Sequence, residues 1–255
     1  MAQSGEWRQL SCEIAGGRCD DHRLRQASPR GAYPRDHRGS PCPLHRRLAF
    51  WHCASLKTTI IPEGVTRIGR MAFSECRSLA ALTLPASLTD VTRISFDCCP
   101  SLKVLNVSSE NPRYASWKGL LLSKEGDVLH WCPEGVEGSV KIPPSVKRVG
   151  SRAFAFCRHL KSITFPDHVA YFGGWACYGF EQLEEVRLGQ GVTQLRPSTF
   201  ARYHSLQSVK MSGRVTLLDE EVFAFCSFLK KNLPSSQCPL HQGRSISRVS
   251  SPANH

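Results

Sequence analysis

The stretch IPPSVKRVGSRAFAFCRHL, running from Ile142 to Leu160, decides the fold, because it returns with the same internal spacing as IPEGVTRIGRMAFSECRSL at Ile61 to Leu79. Working outward, Leu56, Leu79 and Leu102 stand 23 residues apart, and Leu160, Leu183, Leu206 and Leu229 keep the same step. Phe50, Phe73, Phe96, Phe154, Phe200 and Phe223 follow it too, with Cys177 in the one vacancy. A mostly small residue precedes each: Ala49, Ala72, Ser95, Ala153, Ala176 and Thr199, with Val222 larger. Three residues after the aromatic come Cys53, Cys76, Cys99, Cys157 and Cys226, with Phe180 and Tyr203 in the same column. A fixed period of this size means stacked units, none able to bury its apolar face alone.

Within one unit, LKSITFP (160–166) alternates Ile163 and Phe165 with Ser162 and Thr164, as a half-buried strand does, and proline closes it. A second short extended piece carries Val169 and Phe172. Ala153, Phe154 and Cys157 then predict one inward-facing helical turn. The expected object is a right-handed, strand-dominated repeat α/β solenoid over 49–234. Between Leu102 and position 137 the step lengthens by 12 residues, placing an insertion at about 108–136. There Trp117–Leu122 and Val128–Trp131 flank the polar turn Lys124–Asp127, which predicts a β-hairpin projecting from one edge.

The formal charge of +12 raises nucleic acid or an anionic surface as partners, but the excess sits in the tails. Residues 1–48 are Arg-rich among Gly, Ser and Pro, and 235–255 are Ser- and Pro-rich; both are expected to be disordered. Contact of these basic tails with nucleic acid or anionic surfaces stands as a weaker alternative, marked by steep salt dependence. No apolar window is long enough to span a membrane as a helix, and the first residues lack the order of a secretory leader.

The cysteine column is expected to fill space rather than to react or to form disulfides, because parallel Cβ vectors keep neighbouring thiols too far apart and Phe180 and Tyr203 replace them. The tetrapeptide CPLH occurs at 42–45 and 238–241, but the two tails leave opposite ends, so no metal is expected. No G-x-S-x-G, H-E-x-x-H, phosphate loop or paired carboxylates occur, so neither an enzyme nor a cofactor is expected. Function should lie on the strands' outward positions, where the candidate binding face is Thr83, Asn106, Lys141, Ser162, Thr164, Glu185, Arg187 and Lys210. Trp117 and Trp131 in the hairpin are further candidate contacts, since tryptophan is enriched in binding hot spots.

The repeated pattern IP-x-x-V-x-x-I-G-x-x-A-F-x-x-C-x-x-L resembles the BspA-type leucine-rich repeat, and NPRYASWKGLLLSKEGDVLHWCPEG (111–135) resembles a hairpin-bearing turn of that family. The resemblance implies a surface-exposed or secreted adhesion or protein-recognition scaffold without catalytic residues, its partner another protein or a matrix surface. A second reading is a truncated or misassembled repeat fragment with a structural role and no ligand of its own.

Overall fold

The computed structural model describes residues 44, 45, 47–195, 199–201, 203–211, 214–218, 222, 223 and 226. Ahead of the insertion lie β1 (Leu44–His45), β2 (Thr58–Ile60), β3 (Arg67–Ile68), β4 (Ala81–Leu84), β5 (Asp90–Val91) and β6 (Val104–Val107). The insertion holds β7 (Tyr114–Trp117), β8 (Leu120–Ser123) and β9 (Val128–Trp131). After it come β10 (Gly138–Lys141), β11 (Arg148–Val149), β12 (Leu160–Thr164), β13 (Tyr171–Phe172), β14 (Glu185–Arg187), β15 (Gln194–Leu195), β16 (Ser208–Lys210) and β17 (Leu217–Leu218).

Each repeat gives one strand to a sheet on the leucine side and a two-residue strand to the opposite side. The leucine-side sheets run β2-β4-β6 and β10-β12-β14-β16, all parallel; the opposite side holds β1-β3-β5, β15-β17 and β13-β11-β9-β8-β7. Parallel neighbours need a crossover, and here the rest of the coil supplies it. Between the two sides lie the column leucines and phenylalanines, buried from Leu56 through Leu206. Each such side chain contributes about 1.5–3 kcal/mol when fully buried, which is what stacking gains against the entropy of ordering.

The ladder begins at β1, where Leu44 pairs with Arg67 and His45 with Ile68, ahead of the boundary at 49 that the repeat suggests. The expected disorder of the tails otherwise falls on 1–43 and 235–255, outside the described residues.

The Ala-Phe-x-x-Cys segment corrects the expected helical turn: among the described residues only Arg93–Phe96 close into a 3₁₀ turn. Elsewhere the chain makes linked turns bracketed by left-handed residues, two before and two after the aromatic: Met71 and Glu75, Arg152 and Phe156, Trp175 and Gly179. The N–H groups show why a helix cannot form. Ser74 donates back within the turn to Met71 and Cys76 to Phe73, but Phe73 donates to Ser95 and Glu75 to Asp97 in the next coil. Alternate donors are thus drawn out to the neighbouring coil, whereas a helix would need them all internally.

The insertion is also placed differently from a projecting hairpin. β7 and β8 pair antiparallel, as do β8 and β9, but β9 then pairs parallel with β11 and rejoins the stack. β8 lies between two core clusters, Leu121 belonging to the N-terminal one and Leu120 and Leu122 to the C-terminal one. A strand covered on both faces reads as an unbroken apolar run, which explains the triple leucine. Asn111 anchors the entry to the insertion and is fully buried. Its amide donates to Pro85 O at 2.7 Å and Leu88 O at 2.9 Å, and its Oδ1 accepts from the N–H groups of Arg113 and Tyr114. Replacing Asn111 by Ala removes its partners from Leu88 O and the N–H groups of Arg113 and Tyr114 and leaves Pro85 O only the Leu88 N–H at 3.4 Å, and is expected to cost about 2–4 kcal/mol in urea-induced unfolding of the full chain. A loss below about 0.5 kcal/mol would show that the anchor does not matter.

Candidate functional site

The strand registers set the outward residues in two straight columns. Lys141, Thr164, Arg187 and Lys210 are direct neighbours across β10, β12, β14 and β16, and beside them run Ser139, Ser162, Glu185 and Ser208. In the N-terminal sheet Ile60, Thr83 and Asn106 form one column, and Thr58, Ala81 and Val104 the other. Neighbours in a parallel ladder stand about 4.8 Å apart, so each column presents a row of side chains at one strand spacing.

The two sheets differ in chemistry. On the C-terminal one, Ser162 and Ser139 hydroxyls bond at 2.8 Å, and Glu185 Oε1 is held between Lys210 Nζ at 2.7 Å and Arg187 Nε at 3.2 Å. The Lys210 hydrogen bond holds the Glu185 carboxyl below the usual carboxylate range. On the N-terminal sheet Ile60 and Val104 are exposed. No helix of the described residues is long and apolar enough to cross a membrane.

The insertion divides the face. The turn Lys118–Gly119 has both φ angles positive, +47° and +85°. It lies so close to β6 that a Cβ on Gly119 would sit 2.7 Å from Lys103 O. Lys103 Nζ and Glu137 Oε1 meet at 2.5 Å beside this break, on an open groove also lined by Lys57, Ser78, Ser101 and His159. Trp117 is half-buried against the C-terminal cluster, with Lys118 Nζ 4.8 Å from its ring centroid.

Trp131 is corrected. It is 2% exposed and stacks on Phe96 with ring centroids 5.0 Å apart, so it is a core residue and not a surface contact. Phe50, Phe73 and Phe96 stack in file, and Trp131 closes that file, while the backbone slot of the aromatic column passes to Cys132, whose N–H donates to Ala153 O at 2.7 Å. Its indole Nε1 has no hydrogen-bond partner.

The cysteine column carries a feature that its size alone does not suggest. Cys76 Sγ donates to Phe50 O at 3.1 Å, Cys99 to Phe73 O at 3.0 Å and Cys226 to Phe200 O at 3.1 Å, each to the aromatic carbonyl of the preceding coil. Cys157 reaches Cys132 O at 3.5 Å, and the Tyr203 hydroxyl takes the same place by donating to Cys177 O. Phe180 has no donor to offer. Of the eight cysteines among the described residues, seven are buried and Cys98 is exposed. No group of three or more His, Cys, Asp or Glu among the described residues could hold a metal ion. Of the two CPLH tetrapeptides, Leu44 and His45 lie in β1, and Cys42, Pro43 and 238–241 lie outside the described residues.

Coils of one leucine strand and one short opposite strand, repeated without an α-helix among the described residues, define a leucine-rich-repeat solenoid. The BspA type leucine rich repeat region matches in six copies over residues 46–116 and 137–242, more than half of the chain, and the chain belongs to that family. The gap in the match coincides with β8 and β9. The pneumococcal vaccine antigen PcpA is similar in fold at 23% identity and a TM-score of 0.58, covering 69% of this chain and 50% of that one. A leucine-rich repeat protein from Eubacterium ventriosum ATCC 27560 is similar at 19% identity and a TM-score of 0.54, covering 72% and 68%. The chain thus spans half the length of the pneumococcal antigen. No curated protein matches the sequence.

The side-chain hydrogen bond with Cys99, and then burial, push the Cys76 thiol far up, burial does the same for Cys177 and the Tyr203 hydroxyl, and burial lifts Cys226 from 9.0 to about 11. Because these folded-state values exceed the unfolded ones, the stability they contribute is complete below about pH 9 and falls as pH rises above it, the Cys226 share being lost as pH rises through about 11. Denaturant midpoints should therefore fall between pH 9 and 11, whereas a flat profile would contradict the burial. Alkylation mapped by mass spectrometry at pH 8 should label Cys98 in the folded chain and the seven buried cysteines only after denaturation.

Proposed function

We propose that the chain is a protein-recognition or adhesion scaffold rather than an enzyme, and that it binds through the outward columns of the leucine-side sheets. The observation that carries this reading is the ladder Lys141, Thr164, Arg187 and Lys210, with Glu185 clamped beside it. These side chains are set in a fixed row by the register, yet the core makes no demand on them. Fixed spacing is what an extended partner segment can match at low entropic cost. Membership of a repeat family of scaffolds and the fold shared with a vaccine antigen support the same reading. Thr83 and Asn106 extend the proposal onto the N-terminal sheet, and half-buried Trp117 stands at the break between the two.

Adhesion of the immobilised full chain to matrix proteins or intact cells tests the reading. Changing Lys141, Arg187 and Lys210 together to Ala is expected to lower binding at least about tenfold, since such rows concentrate energy in a few residues. The comparison variant changes the exposed Arg67 and Arg148 on the opposite side, where binding should persist. Equal adhesion by both variants would sink the sheet-face assignment.

A further inference from the structure

The turn edge of the solenoid carries an aromatic cluster that the core does not require. Trp175 is 47% exposed and Phe156 36% exposed, and both sit at left-handed φ of +54° and +64°. Tyr178 lies between them, its ring centroid 6.2 Å from Trp175 and 6.4 Å from Phe156 in an edge-on contact. The Arg152 guanidinium covers one side of Trp175 at 4.7 Å from the ring centroid. Left-handed backbone is disfavoured for bulky residues, by roughly 1–2 kcal/mol each.

Equivalent positions in other coils show that aromatics are not a packing necessity there. The place of Trp175 is taken by Leu48, Met71 and Arg152, and that of Phe156 by His52, Glu75 and Cys98. The fold thus accepts charged and small side chains at the same sites. Gly174 beside Trp175 faces open space, and a Cβ at Gly179 would lie 3.7 Å from the Phe156 ring. Arg158, next to the cluster, is already paired with Glu181 at 3.1 Å, while Arg152 has no ion pair among the described residues. An exposed cation lying over exposed rings is complemented by a carboxylate adjacent to an apolar group.

We propose that Phe156, Trp175, Tyr178 and Arg152 form a second docking site, on the turn edge rather than the sheet face, for a partner-protein segment presenting an apolar or aromatic side chain beside carboxylates. Tryptophan, tyrosine and arginine together are the composition of interface hot spots, and contiguous exposed rings on a soluble surface mark such sites.

The probe is a short fluorescent peptide of aspartate and glutamate around one phenylalanine, titrated into the full chain at low and high salt. Binding should weaken at high salt. It should weaken about tenfold in Trp175→Ser and in Phe156→Glu, and less, with a shallower salt dependence, in Arg152→Gln. A variant with Arg187 and Lys210 both changed to Ala should bind as the native chain does, which separates this site from the sheet face. The exposed rings carry little of the fold, so thermal midpoints should stay unchanged. Absence of peptide binding up to millimolar concentration, equal binding of a lysine version, or unchanged binding by Trp175→Ser and Phe156→Glu would each overturn the proposal. So would a concentration-dependent dimer abolished by Trp175→Ser, since a second copy would then be the occupant.

Discussion

Everything in this molecule hangs on the hydrogen bond that leaves one coil for the next at the aromatic column. Phe50 N–H donates to Ala72 O, Phe73 to Ser95 O, Phe154 to Ala176 O and Phe200 to Val222 O, always one short of a full period. A buried N–H without an acceptor is costly, so the bond enforces the coil length. It also takes the donors that a helix would use, leaving linked turns with left-handed residues on either side. The carbonyls face the same requirement from the opposite direction. Cysteine satisfies them because a thiol is compact enough for the inner lining and still a weak donor, and Tyr203 satisfies one by a longer reach.

The insertion obeys the same rule while breaking the period. Cys132 takes the aromatic's backbone slot, and three residues on Gly135 donates its N–H to Leu102 O, where any side chain would meet Pro100 O at 2.6 Å. Trp131 then fills from one residue earlier what Cys132 is too small to fill. The result is two core clusters meeting at β8 rather than one, and an indole N–H left without a partner at the junction.

Much of this was legible in the sequence and some of it was not, for physical reasons. The period exposes the strands and even the two outward columns, because register follows from alternation once the repeat is known. The turn between Lys124 and Asp127 is legible because polar residues interrupt two apolar runs. The helical turn is misread because i, i+1 and i+4 spacing is shared by a helix and by linked turns whose inward residues line one core. Donation by the thiols is hidden, since cysteine as hydrophobe and cysteine as donor have the same spelling. Burial of Trp131 is hidden as well: its indole suits either an exposed contact or the end of an aromatic file, and only the placement of Phe96 chooses between them. Asn111, four hydrogen bonds in one buried side chain, sits in a polar stretch that reads as ordinary loop.

The division made by the insertion matters most for the proposed recognition. Were β6 and β10 neighbours, Ile60, Thr83, Asn106, Lys141, Thr164, Arg187 and Lys210 would form one unbroken row. With Lys118–Gly119 packed against β6, the row splits into a short apolar-and-small section and a longer charged one. A partner reading the whole face would have to cross the half-buried Trp117 and the Lys103–Glu137 pair, matching two chemistries at once. A partner confined to one section meets four strands at most, a narrow footprint for a stable complex. The turn edge lies on the same continuous coils as the charged section, since Arg152 and Phe156 lead directly into β12, and Trp175 and Tyr178 precede β14. Strands and edge are therefore held by one set of backbone bonds, so a partner wrapping from sheet to edge would gain area without either surface having to be reorganised.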